Sequence, residues 1–205
     1  MEIFGIEFES WNTILLRLNW FAIAVAVALI IVLIRVFKQY INKKSIVVDE
    51  INLGIGDSSV KLTYNQKDQE IAYKLWVELS TRKIGIMFDK DHDVITEVYN
   101  SWYEFFKIAR ELLKDVPVSR LPYSNDLIEL TEKVLNKGLR PHLTTWQAKY
   151  RRWYERESSA NTKDTPQEMQ SKYPEYDKLV EDLIDTNKRM IAYKEVMRNI
   201  AFKGK

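Results

Sequence analysis

The spacing of apolar residues divides the chain into an anchor-like beginning and a longer part with periodic patterns. A stretch without charges runs from Leu18 to Ile34, and every residue from Trp20 to Ile34 is apolar. As a helix this stretch is about 25 Å long, and apolar neighbours on both sides extend it towards the ~30 Å hydrocarbon core of a bilayer. We therefore predict a single transmembrane helix from about residue 12 to 40. It lies in an anchor region of residues 12–44, after a short extracytoplasmic tail of residues 1–11.

Two other interpretations of this stretch are a cleavable signal peptide and a buried core helix. A signal peptide begins with a basic leader, whereas Glu2, Glu7 and Glu9 make this one acidic, and no small-residue cleavage site closes the stretch. A buried core helix with so long a charge-free aliphatic run is unusual. The segment after the stretch is basic, so the positive-inside rule places the N-terminus outside and the C-terminal part in the cytoplasm of an inner-membrane protein. Ala22 and Ala26 form a small-xxx-small pair that would allow a second helix to approach closely.

Residues 45–65 alternate in polarity and are predicted to form a β-hairpin. Ile46–Val48 and Ile51–Leu53 are expected strand residues before a turn at Gly56–Ser59, and Val60, Leu62 and Tyr64 alternate with polar residues after it. A phosphate-binding loop at Gly54–Ser58 is disfavoured because no helix follows it directly.

Residues 66–205 have the 3.6-residue apolar spacing of a helical bundle. Gly138 is a C-terminal stop signal, and Thr144 with Gln147 matches a capping box. The polar stretch from about 158 to 172 is predicted to be a mobile loop. The expected helices span residues 66–82, about 90–114, 126–137, 144–158 and 174–202.

Charge and residue types narrow the chemistry of this part. Removing the five bases and three acids of residues 1–44 from the 31 bases and 29 acids of the chain leaves 26 of each. A neutral domain gives no global electrostatic case for nucleic acid, so that partner is an alternative that is not favoured. The chain has no cysteine and two histidines, His92 and His142, and lacks the common hydrolase and nucleotide-binding motifs.

Asp89, Asp91 and Asp93 resemble the first half of a calcium loop. The later positions of that loop carry Val94 and Asn100 where glycine and glutamate are required. We therefore expect these acids to cap a helix, and we predict no metal and no cofactor.

The helix predicted after Thr144 has the densest local pattern. Trp146, Tyr150, Trp153 and Tyr154 gather on one side, and Lys149, Arg152 and Arg156 gather on another, with Arg151 apart. One interpretation is an aromatic core stripe with a solvated basic face. The other is a binding surface for lipid headgroups, a nucleotide or RNA, formed by Lys149, Arg152 and Arg156.

The chain resembles the small membrane-anchored effector or accessory proteins of bacterial anti-phage defence systems, retron-type systems among them. The resemblance lies in the anchor, in Ile71–Gly85 and in Gly138–Ser158. The resemblance implies an inner-membrane protein that senses, or is restrained by, a partner and then impairs the membrane. It carries over no functional residue.

The sequence as a whole predicts a mainly α protein. A single N-terminal transmembrane helix is followed by a cytoplasmic helical bundle with a small β-hairpin. The expected function is that of a non-catalytic interaction protein, which assembles a homo-oligomer or a complex with another protein at the membrane and contacts its lipids. The alternatives are a membrane-disrupting defence effector and a nucleotide- or RNA-acting enzyme with an unrecognised site, which would depend on His92 or His142.

Overall fold

The computed structural model describes residues 4–10, 13–18, 20–41, 44–160 and 163–202, with side chains for 20–36, 44–160 and 163–202. The described chain is mainly helical, as predicted. It divides into two compact units, residues Met1–Lys43 and Lys44–Lys205, which are considered separately.

The first unit contains a β-hairpin followed by one helix. Strands β1 (Phe4–Ser10) and β2 (Thr13–Leu18) pair antiparallel, with Phe4 opposite Leu18 and Phe8 opposite Ile14. Helix α1 spans Trp20–Ile41. The prediction of helix from residue 12 was therefore wrong for residues 13–18. Phe4, Ile6 and Phe8 alternate with Gly5 and Glu7, and this two-residue period favours a strand that pairs with the segment after it.

The described side chains of α1 are almost all exposed. They include Trp20, which is 87% exposed, and Leu33, which is 66% exposed. In the part of the chain that the structure describes, no helix combines the length and the apolar character needed to cross a membrane.

The second unit begins with the predicted hairpin. Strands β3 (Lys44–Asp49) and β4 (Ser59–Tyr64) pair antiparallel, with Ile46 opposite Leu62. Residues Glu50–Leu53 form a short helix, α2, so the prediction of strand at Ile51–Leu53 was wrong. The Asp49 carboxylate accepts hydrogen bonds from the backbone N–H groups of Ile51 and Asn52 and so starts a helical turn. Gly54 ends that turn with a φ of 65°, a left-handed conformation that favours glycine.

Three long helices, α3 (Gln66–Thr81), α4 (Ile95–Lys114) and α9 (Tyr176–Phe202), form most of the core. Asn65 caps α3, and Asp68 bonds back to the Asn65 N–H, which completes a capping box. The apolar face of α3 is buried at Ile71, Ala72, Leu75 and Leu79, and α3 packs along α9. The largest fully buried side chain is Trp102 of α4.

One unbroken helical stretch runs from residue 121 to 160, where the sequence predicted two helices. It consists of α5 (Leu121–Lys133), a π-helical turn (Val134–Leu139), α6 (Arg140–His142), a second π-helical turn (Leu143–Gln147) and α7 (Ala148–Ala160). The predicted stop at Gly138 and the predicted capping box at Thr144 were both wrong. The Thr144 hydroxyl donates backwards to the carbonyls of Arg140 and Pro141. The wider π-helical turns flank Pro141, which has no N–H to donate to the helix.

The polar segment predicted as a mobile loop, about 158–172, contains a short helix. Helix α8 spans Pro166–Ser171 and has a capping box between Thr165 and Glu168. The side chain of Gln170 is fully buried, accepts from the Ile95 N–H at 2.9 Å and donates to the Asp93 carbonyl at 2.9 Å. Gln170 therefore caps the N-terminus of α4, the role that the sequence assigned to Asp89–Asp93.

Alanine substitutions at Gly138 and Gly54 should change stability in opposite directions. Gly138 lies inside a helix without positive φ, and an added Cβ would lie 3.4 Å from the flexible end of Met190. We expect Gly138→Ala to raise the free energy of unfolding by up to about 1 kcal/mol, the helix-propensity gain. Gly54→Ala should lower it by about 1 kcal/mol or more, because its φ is positive and its Cβ would lie 2.7 Å from Arg189. Urea unfolding measures both, and a destabilised Gly138→Ala variant would support a helix end at that position.

Candidate functional site

The three basic residues predicted as a binding surface all lie exposed on α7. Arg156 forms an ion pair with Glu157 at 2.8 Å, so its guanidinium is already occupied. The aromatic side of the helix packs as predicted: Trp146 and Tyr150 are buried, and Trp153 and Tyr154 are partly buried against the core. Of the three predicted basic residues, Arg152 lines a groove whose lining does not include Lys149 or Arg156.

This groove lies between α4 and α7 and has a volume of about 630 Å³. From α4 it is lined by Asn100, Tyr103 and Glu104. The opposite wall belongs to the helical stretch 121–160 and consists of Gln147, Ala148, Arg151, Arg152 and Glu155. We refer to this feature as the α4–α7 groove. It brings aromatic, amide, carboxylate and guanidinium groups together, a combination suited to a polar organic ligand.

Arg151 and Arg152 both line the groove, and within the described residues neither side chain forms an ion pair or a hydrogen bond. The helical spacing of the sequence set Arg151 apart from the basic face, whereas the structure places it beside Arg152 in the groove. Tyr103 was also missed. Its ring is 60% exposed. The signal available in the sequence was an aromatic residue that lies off the apolar face of its helix.

Beside the groove, hydrogen bonds around a buried histidine connect three helices. His142 of α6 is 2% exposed, and its Nδ1 lies 2.7 Å from Oδ2 of Asp182 on α9. Its Nε2 lies 3.1 Å from the hydroxyl of Tyr99 on α4. The same Asp182 oxygen accepts from the indole N–H of Trp146 at 2.8 Å. We refer to these four residues as the buried array, of which the Asp182 side chain is 46% exposed.

The neutral tautomer of His142 with its proton on Nδ1 satisfies the whole array. Nδ1–H donates to Asp182, and Nε2 accepts from the Tyr99 hydroxyl. Burial lowers the pKa of His142, and the carboxylate of Asp182 opposes this shift without reversing it. Burial also raises the pKa of Tyr99. Tyr99 and His142 are nearly inaccessible to solvent, whereas the Asp182 side chain is 46% exposed. The hydrogen bonds of the array position α4, α6 and α9 relative to one another.

The acids at Asp89–Asp93 stabilise a turn. Asp93 accepts from the Asp89 N–H at 2.9 Å and pairs with Lys83 at 2.5 Å, while Asp89 contacts His92 at 2.8 Å. Among the residues that the structure describes, no group of three or more histidine, aspartate or glutamate side chains is placed to hold a metal ion.

The two alanines predicted to pack transmembrane helices lie on α1. Ala26 is exposed and Ala22 is partly exposed. Their role in packing against a second helix stays a prediction.

Stability should fall as the pH is lowered through the titration range of His142. The pKa of His142 is below its ordinary value of 6.5, so near pH 6 the unfolded chain binds more protons than the native one. The stability contributed by neutral His142 is therefore complete above about pH 6.5 and is lost progressively towards its lower native pKa. Urea unfolding at about pH 7 and about pH 5 measures this loss, which His142→Asn should reduce.

His92 provides a control of opposite sign. Asp89 raises the pKa of His92, so this residue contributes stability at low pH that is lost as the pH rises through its native pKa. His92→Asn should therefore leave the acid loss unchanged or make it steeper. An acid loss of the same size in wild type and His142→Asn would contradict the assignment to His142.

The groove and the buried array are the polar features of the described residues that a function has to explain. No protein-family model matches the chain, and neither a curated protein nor a solved structure is found to be similar to it.

Proposed function

We propose that this chain is a single-pass membrane-anchored interaction protein, with α1 in the bilayer and the second unit assembling a complex at the cytoplasmic face. The observation that carries the proposal is the exposure of α1 on all sides. Its described residues from Trp20 to Ile34 are all apolar, and nearly all of them are exposed. A helix that is apolar all round is typical of a large protein core or of a membrane.

The length of α1 is compatible with a bilayer. Its 22 residues make a helix of about 33 Å, against a hydrocarbon core of ~30 Å. The described side chains end at Val36, after about 25 Å, and the backbone continues as helix to Ile41. The proposal therefore extends the membrane segment beyond the side chains that the structure describes.

The direction of insertion follows from charge. Arg35, Lys38, Lys43 and Lys44 lie at or after the C-terminal end of the apolar run, and acidic residues precede it. The positive-inside rule then places the second unit in the cytoplasm.

An exposed aromatic cluster in the second unit supports a protein partner. Tyr73 and Phe202 are each 48% exposed, and the Phe202 ring stacks edge-on against Tyr73 at 6.0 Å and against Trp76 at 5.0 Å. Trp and Tyr are enriched among the residues that dominate binding energy at protein interfaces. Assembly through this cluster, through α1, or through both fits an interaction protein.

A charge in the middle of α1 should prevent membrane insertion. Arginine at a helix centre costs about 2.5–3.5 kcal/mol on the insertion scale. We expect full-length wild type to stay in the membrane pellet after alkaline carbonate extraction, and Ala26→Arg to be extracted. Thr145→Arg, an exposed change in the second unit, should behave as wild type. Extraction of wild type itself would overturn the membrane assignment.

Larger residues at the two small positions should disrupt helix pairing and leave insertion intact. We expect Ala22→Leu with Ala26→Leu to stay in the membrane pellet but to shift from oligomer to monomer in mild detergent, as measured by light scattering. The small-xxx-small arrangement allows close backbone approach, which leucine blocks. Val25→Leu with Val27→Leu is the matched control and should remain oligomeric. A wild-type protein that is monomeric in detergent would contradict assembly through α1.

A further inference from the structure

The α4–α7 groove has the size of a small-molecule site. Its volume of about 630 Å³ lies within the range of roughly 300–1,000 Å³ that is typical of such sites. Ala148 contributes the smallest side chain of the lining, between the longer side chains of Gln147 and Arg151. The hollow follows from this small residue on a helix that otherwise carries long side chains.

The two guanidinium groups on one wall of the groove can bind an oxyanion. Arg151 and Arg152 line it together, and within the described chain neither guanidinium forms an ion pair or a hydrogen bond. One turn further on, the guanidinium of Arg156 is held by Glu157. Guanidinium groups bind phosphate through paired N–H donors, and two unoccupied ones on one wall favour a phosphorylated ligand.

The remaining lining groups disfavour a bare anion. Glu104 and Glu155 balance the two arginines, so the groove has no net charge of its own. Carboxylates repel free phosphate, but they accept hydrogen bonds from vicinal hydroxyl groups such as those of ribose. The ligand therefore combines a phosphate with a hydroxylated group.

The groove also contains an aromatic ring that can stack on a planar ligand. The Tyr103 ring is 60% exposed in the groove, and such a ring provides a stacking surface for a nucleobase. Asn100 and Gln147 present amides, which both donate and accept, and amide side chains pair well with base edges. We propose that the α4–α7 groove binds a nucleoside phosphate, with Arg151 and Arg152 on the phosphate and Tyr103 on the base. This inference is independent of whether α1 enters a membrane.

Isothermal titration of the full-length protein in detergent tests the site. The probes are ATP, GTP, CTP, UTP and AMP, with tripolyphosphate as the probe that has phosphates but no nucleoside. We expect at least one nucleotide to bind and tripolyphosphate to bind at least about tenfold more weakly, because it lacks the stacked base. No binding by any nucleotide at millimolar concentration would overturn the proposal, and so would equal binding of tripolyphosphate.

Single substitutions locate the binding. Arg151→Gln and Arg152→Gln should each weaken nucleotide binding about tenfold, through the loss of charge-assisted hydrogen bonds. Arg156→Gln is the charge-matched control outside the groove and should stay within about twofold of wild type. Equal losses for all three variants would indicate general electrostatic attraction and overturn the site. The three arginines are exposed, so thermal unfolding without ligand should be unchanged in each variant.

Tyr103→Ala separates the base from the phosphate. It should weaken nucleotide binding about tenfold and leave tripolyphosphate binding unchanged. Inositol hexakisphosphate and a single-stranded oligonucleotide test the rival classes. Tighter binding of either one, with the same dependence on Arg151 and Arg152, would assign the groove to lipid headgroups or to RNA and overturn the nucleotide proposal.

Discussion

The arrangement of the second unit depends on the need to satisfy one buried imidazole. His142 has polar atoms at two corners of its ring, and both are out of reach of solvent. Asp182 of α9 satisfies one at 2.7 Å, and Tyr99 of α4 satisfies the other at 3.1 Å. An unpaired buried polar group costs about 1–3 kcal/mol. The two hydrogen bonds therefore restrain the axial shift and the rotation of these helices relative to one another. Trp146 lies in the second π-helical turn, directly before α7, and donates to the same Asp182 oxygen.

The groove follows from that constraint. Tyr99 and Asn100 are neighbours on α4, and Trp146 and Gln147 are neighbours on the opposite wall. The inward-facing residue of each pair belongs to the buried array, and the outward-facing one lines the groove. Fixing Tyr99 and Trp146 therefore fixes which residues of the two helices face each other across the groove. Arg151 and Arg152 lie about one turn beyond Gln147 on the same helix, so their positions are set by the core and not by the solvent.

Apolar periodicity predicted the long helices well. The expected helix at residues 66–82 is observed at Gln66–Thr81, and the expected end at 114 is the observed end of α4. Start and stop signals from single residues failed at Gly138 and at Thr144. An added Cβ at Gly138 would be in ordinary van der Waals contact with Met190 and the carbonyl of Leu53, and its φ is not positive, so neither feature marks a helix end. Tertiary contacts decide such positions, and a local pattern does not contain them.

The candidate site was only partly predictable, for the same reason. Arg152 was identified from the basic face of its helix, but Arg151 was set apart, because helical spacing does not show where a neighbouring helix leaves a hollow. Asp182 lies 40 positions from His142 and Tyr99 lies 43 positions from it, and no spacing rule connects residues so distant. The packing of the helices determines which polar residue is buried and which is left without a partner.

The two units differ in how their apolar side chains are shielded from water. Every residue of the buried apolar core cluster lies between Val48 and Ile200, so the second unit has a core of its own. The aliphatic side chains of α1 are not members of that cluster, and exposing so many of them to water would cost about 25 cal/mol for each Å². The proposed membrane segment would account for this apolar character. A bilayer accounts for apolar residues on every side of α1, whereas a protein groove accounts for one face.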